Sequence, residues 1–93
     1  MNLDTSQIDT LLSDHKNFIK VTSSEIYMNS LTFAIGDFIN LRELMTLRFI
    51  EQFSTEQLSE YYQVGTMVIE NWLGKIYRIT LALIRKNIIR FDS

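Results

Sequence analysis

The chain has 93 residues, 46% hydrophobic and 22% charged, the make-up of one ordered domain with a single modest core. It holds no cysteine, no proline and only three glycines, which excludes disulfides and thiolate metal sites and favours long helices over a turn-rich sheet. The net charge of −2 hides an asymmetry: residues 1–70 carry four basic and ten acidic side chains, whereas residues 71–93 carry Lys75, Arg78, Arg85, Lys86 and Arg90 against Asp92 alone.

Asp4 and Asp9 precede any apolar run, so the N-terminus does not have the pattern of a secretory signal. The most apolar run, residues 79–84, is bracketed by Arg78 and Arg85 and is too short to span a bilayer. These features, with the absence of cysteine, predict a cytoplasmic protein that does not enter a membrane.

Taken in chain order, residues 1–23 form an N-terminal arm. Within it residues 5–12 fit a short amphipathic helix using Ile8, Leu11 and Leu12. Residues 18–21, Phe-Ile-Lys-Val, read as an extended segment, a strand only if it finds a partner. Ser23 or Ser24 can cap a helix through Ile26, Tyr27, Met28, Leu31 and Ala34, which Gly36 and Asp37 break. Asn40 with Glu43 has the spacing of a capping box and opens a helix over residues 41 to about 52. Leu44, Leu47, Phe49 and Ile50 should point inward there, and Glu43 and Arg48 outward.

The segment from Ser54 to Gly74 fits a helix-turn-helix. Ser54 and Gln57 form a second capping box, so a helix should begin at about Thr55 and place Leu58, Tyr61 and Tyr62 on one face. Residues 63–66 make a tight corner, with Gly65 supplying conformational freedom. Glycine is the more usual residue at the position of Gln63, because the left-handed conformation costs other residues about 1 kcal/mol. Ser59 is small where the helices must approach. A second helix over residues 66–88 then buries Ile69, Trp72, Leu73 and Ile76. Two helices joined in this way commonly lay the second in a DNA major groove, and the same pattern also fits an ordinary helical hairpin in a small bundle.

On a helical wheel of the last helix, Ile69, Leu73, Ile76, Thr80, Leu83 and Ile84 share one stripe, and Asn71, Lys75, Arg78 and Arg85 lie opposite. Leu81, Ile88 and Tyr77 form an apolar flank outside the main stripe. Either a second copy of the chain covers that flank, or the N-terminal arm folds back over it. The expected fold is therefore all-α: a single domain over residues 1–93 of about five helices, containing a helix-turn-helix.

From Ser24 onward the chain resembles the PapB type of adhesin (fimbrial) operon transcription regulators of enteric bacteria. Glu60-Tyr-Tyr-Gln-Val64 is similar to a Glu-Lys-Tyr-Gln-Met segment of that family, and Leu73-Gly-Lys-Ile-Tyr-Arg78 to its Leu-Gly-Arg-Leu-Ile-Arg, with matching spacing between them. Ser24-Glu25 also recurs at nearly the right distance, while residues 1–23 have no counterpart. A looser likeness to sigma-factor region 4 runs from Leu41 to Leu73 and rests on helix-turn-helix patterning. The first resemblance implies a nucleoid-associated regulator that binds AT-rich duplex DNA near fimbrial promoters and assembles as dimers and higher oligomers. By correspondence Lys75 and Arg78 match the family's two arginines, Thr66 an asparagine and Asn71 a threonine. Thr55 stands where the family has an arginine, Gln57 where it has a glutamate and Ser59 where it has a cysteine; the resemblance thus implies one phosphate contact fewer and weaker or differently placed binding, with Thr55 itself kept among the expected DNA-contacting residues.

The chemistry of these positions points the same way. Lys75 and Arg78 are the leading phosphate or base-edge contacts, and a basic stretch of this kind also complements the dipole at a helix C-terminus, which accounts well for Arg85. Asn71 can bond adenine bidentately or remain a solvated surface residue; Met67 can touch a thymine methyl or pack. Ser54 and Thr66 can reach phosphate through hydroxyls and helix-terminal amides. Glu70 repels phosphate and needs a cytosine amine or a neighbouring cation. Trp72 belongs to the core rather than to a base-stacking surface. No enzyme is expected: His15 has no evident base or metal partner, the glycines are isolated, and neither a cofactor nor a metal is implied. A protein-interaction module, docking its acidic front half on another regulator or on RNA polymerase, is the rival reading.

Overall fold

In the computed structural model, which describes residues 4–91, the chain is all-helical, with no strand among those residues. Six helices follow one another: α1 (Thr5–Ser13), α2 (His15–Thr22), α3 (Glu25–Ile35), α4 (Leu41–Met45), α5 (Thr55–Tyr62) and α6 (Thr66–Arg85). α4 runs directly into a π-helical turn, Thr46–Ile50. α3 and α5 pack on α6, and α1 touches both α6 and the π turn.

The starts of the helices are written in side chains. Asp4 and Gln7 cap α1 reciprocally, with bonds of 2.9 Å each way. Ser24 caps α3 through the Tyr27 amide at 3.2 Å. Asp14 caps α2 by accepting from the amides of Lys16 and Asn17. That last cap corrects the extended reading of residues 18–21, which are helical. Once Asp14 satisfies two of the orphan amides at the start, the apolar residues Phe18 and Val21 face the bundle at helical spacing. The Thr22 hydroxyl then closes the turn on the Phe18 carbonyl at 2.9 Å.

Two expected helices end earlier than their patterns suggest. The helix opened by Asn40 holds α geometry only to Met45; beyond it the ladder widens into the π turn, with Glu51 N–H bonding Thr46 O at 2.9 Å. Gln52, at φ 60°, then turns the chain away. The last helix stops at Arg85, not near residue 88. Asn87 takes the left-handed conformation at φ 58°, and the amides of Asn87 and Ile88 return to the carbonyls of Ile84 (3.0 Å) and Leu83 (2.9 Å). That is a Schellman termination with asparagine in place of the usual glycine. It lets Ile89 fold back into the core, and Lys20 Nζ holds the adjacent Arg90 carbonyl at 2.8 Å.

The core gathers on α6. Ile69, Trp72, Leu73, Ile76, Thr80 and Leu83 are buried there, against Ile8 and Leu12 of α1, Tyr27 and Leu31 of α3, Leu44, Met45 and Phe49 of the fourth helix and its π turn, and Leu58 of α5. One polar pair lies inside: Tyr27 Oη and Thr80 Oγ1 are 2.7 Å apart, and the Thr80 hydroxyl also reaches the Ile76 carbonyl at 2.7 Å. The N-terminal arm does fold back: Tyr77, on the flank of α6, donates to the Asp9 carboxylate at 2.6 Å and stacks edge-on against Phe49.

Burial pushes the Tyr27 phenol up to about 12, against the lowering effect of its bond to Thr80. An unfolded tyrosine ionises near 10, so this contribution to stability is complete below about pH 10 and falls away as the pH rises towards 12. Urea melts near pH 8 and pH 11 should show a loss of stability at the higher pH that is reduced in Tyr27→Phe. Leu58→Ala, which empties a fully buried site between α5 and α6, should cost about 2–5 kcal/mol at either pH.

Candidate nucleic-acid interface

The α5–α6 hairpin is fixed at its start, at its turn and along its inside. Ser54 accepts from the Gln57 amide at 3.1 Å and donates its own N–H to Gln57 Oε1 at 2.8 Å, so its hydroxyl belongs to the cap. At the turn Gln63 adopts φ 58°, ψ 45°, with the amides of Gln63 and Val64 bonding the carbonyls of Glu60 (3.4 Å) and Ser59 (3.1 Å). This is a second Schellman termination, and the Ser59 hydroxyl closes it by donating to the Val64 carbonyl. The expected freedom of Gly65 is not used. Gly65 sits at φ −68°, ψ 156° as the N-cap of α6, and the left-handed residue is Gln63.

Inside the hairpin, Leu58 and Ile69 are fully buried and Trp72 is 6% exposed. The indole meets Tyr62 edge-on at 5.7 Å and Phe38 at 5.8 Å, which makes it the aromatic centre of this end of the bundle. Glu43 is half-buried rather than outward-facing. Its carboxylate, instead of completing a capping box with Asn40, accepts from Tyr61 (3.2 Å) and Tyr62 (3.1 Å). The Tyr62 phenol is raised in pKa by burial and then by Glu43, and Tyr61 chiefly by its bond to Glu43. Both phenols therefore stay neutral donors and tie α5 to α4. Arg48 is also turned inward, donating to the Phe53 carbonyl at 3.0 Å.

The opposite side of α6 is open. At about 100° per residue, Met67, Asn71, Gly74, Arg78 and Arg85 fall within roughly 60° of one another and run about 27 Å along the axis. Met67 is 80% exposed, and Asn71, Arg78 and Arg85 are exposed as well. Lys75 is half-buried on one shoulder of this stripe, and Thr66 and Glu70 are exposed near its start. Among the described residues, Lys75, Arg78 and Arg85 have no carboxylate partner. Gly74 lies in the middle of the stripe, and a Cβ added there would meet nothing within 4 Å. The fold does not need a glycine at that position, although glycine in a helix interior costs about 1 kcal/mol relative to alanine.

The remaining expected site residues stand apart from that stripe. Ser54 and Thr55 are half-buried at the start of α5, the serine committed to its cap. α5 instead presents exposed Glu56 and Glu60, and Glu51 is exposed just before it. Phosphate contact by the start of α5 is thus opposed by its own acidic side chains. The pattern of the sequence shows these glutamates, but not that both face solvent along α5.

The concave surfaces offer little. A cleft of about 200 Å³ between α1 and the π turn is lined by Asp9, Ser13, Arg48, Phe49, Gln52 and Phe53, and its charged groups are engaged with Tyr77 and the Phe53 carbonyl. Among the described residues no group of His, Cys, Asp and Glu could hold a metal ion, and no helix is long and apolar enough to cross a membrane. No protein-family model matches the chain, and no curated protein or solved structure shows significant similarity to it.

The turn generates a direct test. Gln63→Gly removes the left-handed strain while losing the bond of Gln63 Nε2 to the Glu60 carbonyl, and should stabilise the domain by about 0.5–1 kcal/mol. Gln63→Val, β-branched at φ 58°, should destabilise by more than about 1 kcal/mol. Paired thermal melts of the two variants check both signs.

Proposed function

We propose that the chain binds duplex DNA through the outer stripe of α6 and acts as a transcriptional regulator, in the bacterial cytoplasm and associated with the nucleoid. The observation that carries this reading is the open stripe itself. An apolar side chain (Met67), an amide (Asn71), a gap at Gly74 and two unpaired arginines follow one another along a helix whose other side is locked into the core. In a major groove, Met67 would lie against thymine methyls, Asn71 would bond adenine, and Arg78 and Arg85, with Lys75 on the shoulder, would meet phosphates or a guanine edge. Gly74 lets the backbone of α6 come close to the duplex. The fimbrial or adhesin operon as target, and the preference for AT-rich sites, rest on the resemblance of residues 60–78 to the PapB type.

Glu56 and Glu60 favour a second reading, a module that docks α5 on a basic patch of another regulator or of RNA polymerase. The two readings differ in what α6 contributes. Fluorescence anisotropy on AT-rich and GC-rich duplexes, across about 50–200 mM salt, should show binding that weakens steeply with salt. Lys75→Glu with Arg78→Glu should reduce affinity by more than tenfold, and neutralising each single contact should lower the salt slope by about one. Gly74→Ala should raise stability by about 0.5–1 kcal/mol and yet weaken DNA binding. Stabilisation with unchanged binding would remove α6 from the interface and favour the docking module.

A further inference from the structure

Burial is inverted on one helix. Phe33, in the last turn of α3, is 94% exposed, and Ile26, two turns earlier on the same face, is 57% exposed. Isolated apolar residues on a surface are ordinary, but two large ones at heptad spacing form the stripe of a helix that packs against something. The rest of that face is also prepared for burial. Between Ile26 and Gly36 there is no charged residue. The Ser30 hydroxyl already bonds the Ile26 carbonyl at 2.7 Å, so covering it leaves no unsatisfied donor. The α6 flank that the sequence marks for self-association is different: α1 reaches it through Asp9 and Tyr77, and Leu81 is only half-exposed.

We infer that the outer face of α3 is a homodimer interface, in which two α3 helices pack antiparallel about a twofold axis between Asn29 and Ser30. The occupant is chosen by self-complementarity. Reversing the helix about that midpoint puts Ile26 on Phe33 of the other copy and Asn29 beside its Ser30, so apolar meets apolar at both ends and polar meets polar at the centre. The area sets the strength. A phenylalanine this exposed offers roughly 200 Å², and Ile26 roughly half of that, with Glu25, Asn29, Ser30 and Thr32 as rim. Doubled by the twofold, the interface reaches roughly 1,000 Å², the lower edge for a specific complex, so the dimer is weak and concentration-dependent. This inference stands independently of what α6 binds.

Sedimentation velocity on the full chain, from about 1 to 300 µM, should show monomer passing to dimer within that range, as expected for an interface of this size. Phe33→Glu should weaken association by more than tenfold while leaving the circular dichroism spectrum and melting point unchanged, because the side chain is outside the core. Met67→Glu, on α6, should leave association intact. The chain has no cysteine, so Ser30→Cys places a single thiol next to the axis and should form a covalent dimer on oxidation, while Thr10→Cys on α1 should not. A chain that stays monomeric throughout, or a dimer that survives Phe33→Glu, overturns the inference.

Discussion

α6 runs for 20 residues, about 30 Å, and among the described residues no other helix exceeds 11, a length at which an isolated helix is marginal in water. α1, α3 and α5 therefore hold their shape while their apolar sides are pressed on α6, α2 and α4 pack in turn on α1 and α3, and the burial of the inner stripe of α6 is the interaction that organises the domain. The stripe is not wholly apolar. Thr80 stands in it with its hydroxyl between the Ile76 carbonyl and Tyr27, and this buried pair constrains how α3 lies on α6. An apolar contact tolerates sliding, whereas a buried phenol that loses its only partner costs about 1–3 kcal/mol.

The hairpin that carries the candidate site depends on a second constraint, the placement of left-handed residues. Gln52, Gln63 and Asn87 each take a positive φ without being glycine, and each ends a helix. Two of these positions form full Schellman bonds, so the backbone amides recover what the side chain costs in strain. The third follows the π turn and aims the chain from Phe49 towards Phe53 and the cap at Ser54. The hairpin's entry, corner and exit are therefore set by backbone hydrogen bonds rather than by glycine flexibility.

Much of this was legible from residues. The caps at Ser24, Asn40 and Ser54, the break at Gly36, the burial of Trp72 and the two faces of α6 follow from side-chain chemistry and helical spacing, which are local properties. The misreadings share a cause. Residues 18–21 looked extended because two β-branched residues outweighed the cap at Asp14, a signal four residues upstream of the run. Asn87 gives no local stop signal, because the apolar spacing continues to Ile88. The inward turns of Glu43 and Arg48 needed Tyr61, Tyr62 and Phe53 to be known as neighbours, which no local pattern supplies. Of the site, the outer face with Asn71, Arg78 and Arg85 was readable from helical spacing, whereas the exposure of Met67, the half-burial of Lys75 and the open space at Gly74 required coordinates. The exposure of Phe33 leaves no mark in the sequence, since an apolar residue in an apolar helix has the pattern of one that is inside.

The two exposed faces, one basic and one apolar, lie on opposite sides of the same packing contact. Tyr27 faces Thr80, so α3 sits against the buried side of α6, while the stripe from Met67 to Arg85 lies roughly 140–180° around that helix. A twofold axis through the outer face of α3 then leaves each α6 on the far side of its own α3, with the two stripes directed away from each other. Helix packing at 8–10 Å per layer puts the two α6 axes roughly 25–30 Å apart. A dimer whose reading helices enter successive major grooves of one duplex needs them about 34 Å apart and facing the same side. The spacing comes near that value and the orientation does not. Under the proposed DNA reading and the proposed α3 interface together, such a dimer would suit holding two separate duplex segments rather than clamping a palindrome, since a palindromic operator would require each α6 to turn about its own α3, against the Tyr27–Thr80 bond that fixes it.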